Sequence, residues 1–202
     1  MKYRILSILF LLTSCTATSR ESLTSALGIT STATHNALTP AEEQKTVSLP
    51  EINCANNERG IIVCEFDSLR PHIESVAKTH GLNPQIIEAI VRKESGGNPK
   101  AIRRHGFLKS KFKHLNANDR KLADASLGLG QILYGFHKTN CELTKPEDLF
   151  DPKTNLTCLA KVLSDCYARA KRTTNATNTD RSALKCYNGS YAYADSILQA
   201  IR

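Results

Sequence analysis

Glu94 is the side chain of this sequence with the strongest claim to chemistry. It ends an apolar-periodic stretch, Gln85-Ile-Ile-Glu-Ala-Ile-Val-Arg-Lys-Glu94, and is followed at once by Ser95-Gly-Gly-Asn-Pro99. Ile87, Ile90, Val91 and Glu94 fall at i, i+3, i+4 and i+7, so the carboxyl group continues the stripe that a helix would turn to its core. A carboxyl group held there is desolvated, which favours its neutral form. A neutral carboxylic acid near pH 7 is a general acid, able to protonate a leaving oxygen. That is the chemistry of glycosidic-bond cleavage. The commoner fate of a glutamate at a helix end is a solvated boundary position, so the rest of the chain has to decide.

The helix that would hold Glu94 is marked at both ends. Asn83-Pro84 reads as N-cap and first helical residue, and Gly96-Gly97 stops the helix just past the carboxylate. A standard glycoside hydrolase uses two carboxyl groups, and no second one has a comparable claim. Asp119, Asp124, Asp148, Asp151 and Asp165 all read as surface, capping or turn residues. The six histidines are scattered, without a Ser, Cys or metal constellation. No metal and no cofactor are therefore expected.

The surrounding pattern is helical. The spacing predicts a helix over 69–79, closed by His80-Gly81. Phe107, Leu108, Phe112 and Leu115 predict one or two short helices, and a further short helix is predicted over 128–138. Asp151-Pro152 opens a long helix with Leu156, Leu159, Val162, Leu163, Cys166 and Tyr167 on one face. After a polar loop over 172–179, Asp180 reads as the N-cap of a helix through Tyr187. Gly189-Ser190 turns into a last helix with Tyr191, Ala194, Ile197, Leu198 and Ile201 inward. No strand is predicted from the pattern itself.

The N-terminus reads as an export signal. Lys2 and Arg4 precede a short apolar run, Ile5 to Leu12. Leu12-Thr-Ser-Cys15 then resembles a bacterial lipobox, with residues 1–14 removed and Cys15 acylated. Thr16 after the cysteine resembles lipoproteins sorted to the outer membrane of Gram-negative bacteria, facing the periplasm. Residues 15–50, rich in Ser, Thr and Ala, read as a solvated tether, reaching about 30–35 Å as a flexible coil. Residues 51–68 form an extension, and 69–202 the main domain, large enough for one core.

Of seven cysteines, six remain after Cys15. None has zinc-like spacing, so disulfides in an oxidising compartment are expected. Six cysteines leave many pairings open. Cys158 and Cys166 would lie roughly 12 Å apart on one helix, too far to bridge. The expected set is Cys54–Cys64, Cys141–Cys158 and Cys166–Cys186, the last two pinning the helix that begins at Pro152 to its neighbours. The net charge of +8 is partly localised at Lys100, Arg103, Arg104, Lys109, Lys111, Lys113, Arg120 and Lys121. Such a surface suits an anionic polymer. With an export signal and disulfides, nucleic acid is excluded as the expected partner.

Four ordered segments resemble the Slt-type lytic transglycosylases, enzymes of the lysozyme superfamily that cleave peptidoglycan. Ala89-Ile-Val-Arg-Lys-Glu94-Ser95-Gly-Gly-Asn-Pro99 is similar to the family's Glu-Ser motif, and Ser126-Leu-Gly128-Leu-Gly130-Gln131-Ile132 to its Gly-Leu-Met-Gln motif. Leu149-Phe-Asp-Pro152-Lys-Thr-Asn155-Leu is similar to its Asp-Pro-x-x-Asn helix start, and Ala183-Leu-Lys-Cys-Tyr187-Asn188-Gly189 to its Ala-x-x-x-Tyr-Asn-Gly motif. Gly130 stands where Met is usual. About 26 residues separate Pro99 from Ser126, more than in compact members. An insertion of this kind resembles the specialised forms found with secretion or conjugation machinery or with phage tails.

The resemblance implies an all-α, lysozyme-like fold, with room for a small β-hairpin in the insertion. It implies that Glu94 acts first as acid and then as base on the bond between MurNAc and GlcNAc, forming a 1,6-anhydro ring. It also implies that the Tyr187 hydroxyl reaches Glu94, and that Ser95, Ser126, Gln131 and Asn188 contact the glycan. Two other activities stay open at this point. One is a goose-type muramidase that hydrolyses the same bond with water; the other is a peptidoglycan-binding assembly factor of an envelope-spanning secretion machine.

Overall fold

The computed structural model describes residues 48–173 and 178–202, all within one unit, Thr46–Arg202. Cys15, its lipobox and nearly all of the expected tether lie outside the described residues.

Residues 51–68, expected only as a disulfide-bearing extension, hold a small hairpin. Strands β1 (Cys54–Asn56) and β2 (Ile62–Cys64) pair antiparallel, with Cys54 opposite Cys64 and bonded to it. Asn57 shapes the turn by accepting the amides of Arg59 and Ile61, each at 3.0 Å. The hairpin is tied to the segment after Glu94, because Cys64 N–H donates to the Gly97 carbonyl at 2.9 Å. Gly97 has φ +87°, and a Cβ there would come within 2.9 Å of the Cys64 carbonyl. Only glycine lets the chain pass so close.

Helix α1 (Phe66–His80) starts three residues before the predicted boundary and ends on Gly81 at φ 62°. Helix α2 (Pro84–Glu94) has its predicted ends, with the Gln85 amide donating to Asn83 Oδ1 at 2.9 Å. Ile73 and Ala77 from α1 and Ile86, Ile87, Ile90 and Val91 from α2 join one buried cluster. The same cluster takes Leu156, Leu159 and Leu163 from helix α5 (Pro152–Thr173). The apolar face predicted for that helix is the buried one, with Tyr167 at its half-buried edge. The Asp151 carboxylate opens α5 by accepting the Thr154 amide at 2.8 Å. Cys141–Cys158 and Cys166–Cys186 bridge α5 to its neighbours in the expected pairing.

The small β-structure that the resemblance allowed in the insertion is present as a three-stranded antiparallel sheet, β3 (Ile102–Arg104), β4 (Ala125–Leu127) and β5 (Ile132–Leu133). It occupies the region for which the pattern predicted only helices. The strands are two or three residues long, and β4 is buried throughout, so no alternation betrays them. Between β3 and β4 lie a 3-10 segment (Gly106–Phe112) and helix α3 (Ala117–Arg120). The helix predicted over 128–138 is reduced to α4 (Tyr134–His137). Gly128 at φ 70° and Gln131 at φ 51° bend the chain there instead. A second 3-10 segment (Pro146–Phe150) leads into α5.

Three more readings are corrected. Asp119 and Asp124 are buried, not surface residues. Asp119 binds the Tyr134 hydroxyl at 2.8 Å, Lys138 Nζ at 2.5 Å and Asn116 Nδ2 at 2.9 Å. Burial opposes its ionisation, but these donors outweigh it and hold the carboxyl below its ordinary value. Asp180 lies inside the first turn of α6 (Thr179–Asn188) and accepts the Tyr167 hydroxyl at 2.9 Å, so it is not the N-cap. In helix α7 (Tyr191–Ala200), Tyr191 is 47% exposed beneath the Arg181 guanidinium, and Tyr193 takes the inward place.

Candidate active site

Glu94 is the last residue of α2, half-buried, on the wall of a cleft of about 210 Å³. Ser126 from β4, Gln131 from the bend after it, and Tyr187 and Asn188 from the end of α6 line the same cleft. Five of the six glycan-site residues expected from sequence therefore converge. Among the described residues, Glu94 is the only carboxylate on the cleft wall. Asp124 lines a different, smaller cavity with Lys109 and Arg120. A larger hollow of about 850 Å³ lies between α1, α2 and α7. Its half-buried acid, Glu88, is bound by Arg92 at 2.6 Å and faces Arg70 at 3.5 Å. That acid is already held by two guanidinium groups.

Ser95 is the expected residue that the cleft lacks. Its hydroxyl donates to the Val91 carbonyl and accepts the Gly97 amide, both at 3.2 Å. It closes the end of α2 and so fixes where Glu94 sits, without lining the cleft. Asn188, expected as a sugar contact, donates from Nδ2 to Glu94 Oε1 at 3.3 Å. Gly189 makes this reach available by ending α6 in the left-handed region, at φ 92°.

Tyr187 lines the cleft, but its hydroxyl does not go to Glu94. It donates to the Gly130 carbonyl at 2.6 Å. Burial, and then the nearby Glu94 carboxylate, raise this phenol well above its ordinary value, so it stays protonated and keeps that bond. Gly130, the departure from Met, follows from the same contact. A Cβ at this position would lie 2.5 Å from Leu159 Cδ1 and 3.0 Å from the Tyr187 oxygen. Gln131 fixes its own bend by donating Nε2 to the carbonyls of Ala101 and Gly128, at 3.2 and 3.1 Å. Its amide oxygen has no donor among the described residues, which leaves a hydrogen-bond acceptor on the cleft wall.

Two features around Glu94 escaped the sequence reading, one on the cleft wall and one behind it. His105, just past β3, shares a hydrogen bond with the Ser126 hydroxyl at 2.9 Å. Its strand was not recognisable, so no signal marked it. Tyr193 is buried, and its hydroxyl makes no hydrogen bond of normal geometry. Burial, and then the Glu94 charge beside it, push this phenol well above its ordinary value. Its spacing to Ile197 and the Ser190 cap, which accepts the Tyr193 amide at 3.3 Å, were the available clues.

These positions separate two otherwise similar substitutions. Tyr187→Phe removes the support of the Gly130 turn; stability should fall by about 1–2 kcal/mol. Tyr193→Phe removes a buried hydroxyl that has no hydrogen-bond partner among the described residues, so stability should hold or rise slightly. Thermal melting of the two variants checks both. A larger loss in Tyr193→Phe than in Tyr187→Phe would reverse the assignment.

Among the described residues no group of His, Cys, Asp and Glu is set to hold a metal ion. Residues 71–195, well over half of the chain, match the family described as "Transglycosylase SLT domain". No curated protein and no solved structure gave a match.

Proposed function

The chain belongs to the SLT transglycosylase domain family of the lysozyme-like superfamily, and from that premise we propose that it cleaves the MurNAc-β-1,4-GlcNAc bond by intramolecular transfer. Members of the family are lytic transglycosylases acting on peptidoglycan. The observation that carries the finer reading is the single carboxylate of the cleft. Hydrolysis with two carboxyl groups needs a second one about 5–9.5 Å away as nucleophile or base. A transglycosylase needs only one.

Glu94 protonates the glycosidic oxygen as the bond to C1 of MurNAc breaks. The N-acetyl carbonyl of the same sugar stabilises C1. The Glu94 carboxylate then takes the proton of the C6 hydroxyl, whose oxygen attacks C1 and closes the 1,6-anhydro ring. Asn188 steadies the carboxylate through its 3.3 Å hydrogen bond. Ser126 and the free amide oxygen of Gln131 contact the sugars. Tyr187 acts through the Gly130 turn, as a positioning residue.

The products test this directly. Sacculi digested with the purified protein should release muropeptides lighter by one water than those a muramidase produces. A mass spectrum with only reducing-end products would assign the goose-type activity instead. Full biological function of a catalytically dead variant would favour the assembly factor. The same proposal places the enzyme on the periplasmic face of a Gram-negative outer membrane, held by lipid on Cys15, with secretion or conjugation machinery as its setting. Its support is the lipobox-like Leu12-Thr-Ser-Cys15 and the three disulfides. Palmitate labelling that persists in Cys15→Ala would remove the anchor from it.

A further inference from the structure

We propose that the lobe of residues 100–121 is a docking surface for the carboxylates of stem peptides, so that the enzyme selects peptide-bearing over naked glycan. The proposal rests on the peptidoglycan reading of the cleft. Between Ser95 and Cys141 the only acids are Asp119 and Asp124. Both are buried, Asp119 against Lys138 at 2.5 Å and Asp124 facing Arg104 at 3.8 Å. The exposed charge of this lobe is therefore all positive. Arg103, Lys109, Lys111, Lys113 and Lys121 have no carboxylate partner among the described residues. Crowded like charges repel one another, and an anionic partner relieves that repulsion.

The position of the lobe selects the partner. Arg103 and His105 stand two residues apart at the end of β3, and both line the Glu94 cleft. Arg103 pairs in register with Ser126, to which His105 is hydrogen-bonded. From that wall the 3-10 segment Gly106–Phe112 carries the charge outward through Lys109 and Lys111. Phe107, 80% exposed and set edge-on to His105 with ring centroids 6.1 Å apart, adds a flat apolar face. The sugars of the repeating disaccharide offer this surface little charge, whereas stem peptides carry free carboxylates along the strand. A glycan seated at Glu94 would bring the nearest of them to Arg103. An anionic membrane could engage the lysines, but it would have no use for the Arg103 guanidinium set into the wall of the cleft.

The test measures binding with turnover blocked. The full chain carrying Glu94→Gln is sedimented with intact sacculi, with sacculi stripped of stem peptides by an amidase and then amidated to neutralise the lactyl carboxylates that stripping frees, and with intact sacculi whose carboxylates are converted to neutral amides. Both treatments should weaken retention about tenfold at low salt, the scale of a few exposed ion pairs. The difference should collapse at about 0.5 M salt, where such pairs are screened. Replacing Lys109, Lys111 and Lys113 together by Ala should abolish the difference between intact and stripped sacculi. All three side chains are exposed, and thermal melting checks that the variant folds. Equal retention on intact and stripped sacculi would overturn the proposal. So would tighter binding to anionic phospholipid vesicles than to intact sacculi, lost in the triple variant. Product masses are read separately, so selective binding without anhydro products would remove the proposed reaction and leave the docking surface standing.

Discussion

Glu94→Gln should fold like the parent and lose at least about a hundredfold of its turnover on purified sacculi, the contribution expected of a positioned general acid. Glutamine keeps the length and shape of the side chain and can still accept from Asn188, whose Nδ2 lies 3.3 Å from Oε1. Among the described residues Glu94 forms no salt bridge, and it is only half-buried, so the substitution strands no buried cation there and opens no cavity. What disappears is the proton for the leaving oxygen and the base for the C6 hydroxyl. Because no other carboxylate lines the cleft among the described residues, nothing nearby can take over either step. Thermal melting within a few degrees of the parent, with turnover near background, is the expected pair of results. A variant that melts normally and keeps most of its turnover would end the assignment of Glu94.

Glu94 was legible because its placement is a local matter. Asn83, Pro84, the apolar spacing through Val91 and the glycines at 96 and 97 all lie within a few residues of one another, and each acts on its own turn of the helix. The surroundings of Glu94 are long-range. The acceptor for Tyr187 is a backbone carbonyl 57 residues away, at Gly130, and a carbonyl has no side chain to mark it. Resemblance put Tyr187 beside Glu94, and both line one cleft, but its hydroxyl goes to Gly130 instead of the carboxylate. The sheet was hidden for the same reason, since Ile102 pairs with Leu127 across the whole insertion. Ser95 shows the opposite error. Expected at the glycan, it spends its hydroxyl locally, on the Val91 carbonyl and the Gly97 amide. The long basic insertion, read from composition as a charged surface, gained direction only when β3 set Arg103 and His105 on the cleft wall.

Asn155→Ala should be the most damaging single substitution outside the cleft, costing about 3–6 kcal/mol if each abandoned buried partner carries its usual penalty. Asn155 is fully buried at the start of α5. Its Oδ1 accepts the Gly130 amide at 2.8 Å, and its Nδ2 donates to the carbonyls of Leu127 and Leu149 at 2.9 and 2.7 Å. One side chain thus joins the long helix, the end of β4 and the bend that presents Gln131. The fit leaves no slack, because a Cβ on Gly128 would come within 2.2 Å of Asn155 Nδ2. Alanine leaves an amide and two carbonyls unpaired where water does not reach. For a domain of this size the loss corresponds to roughly 10–20 °C in melting temperature. Activity should fall with it even in the folded fraction, as Ser126 and Gln131 lose their support, although Asn155 itself does not line the cleft. Asn155→Asp isolates the cause. It keeps the acceptor for Gly130 but as a carboxylate has no N–H for the two carbonyls, so it too should be severely destabilised despite nearly identical shape. An aspartate variant as stable as the parent would show that shape alone holds this junction together, and that the hydrogen bonds across it contribute little.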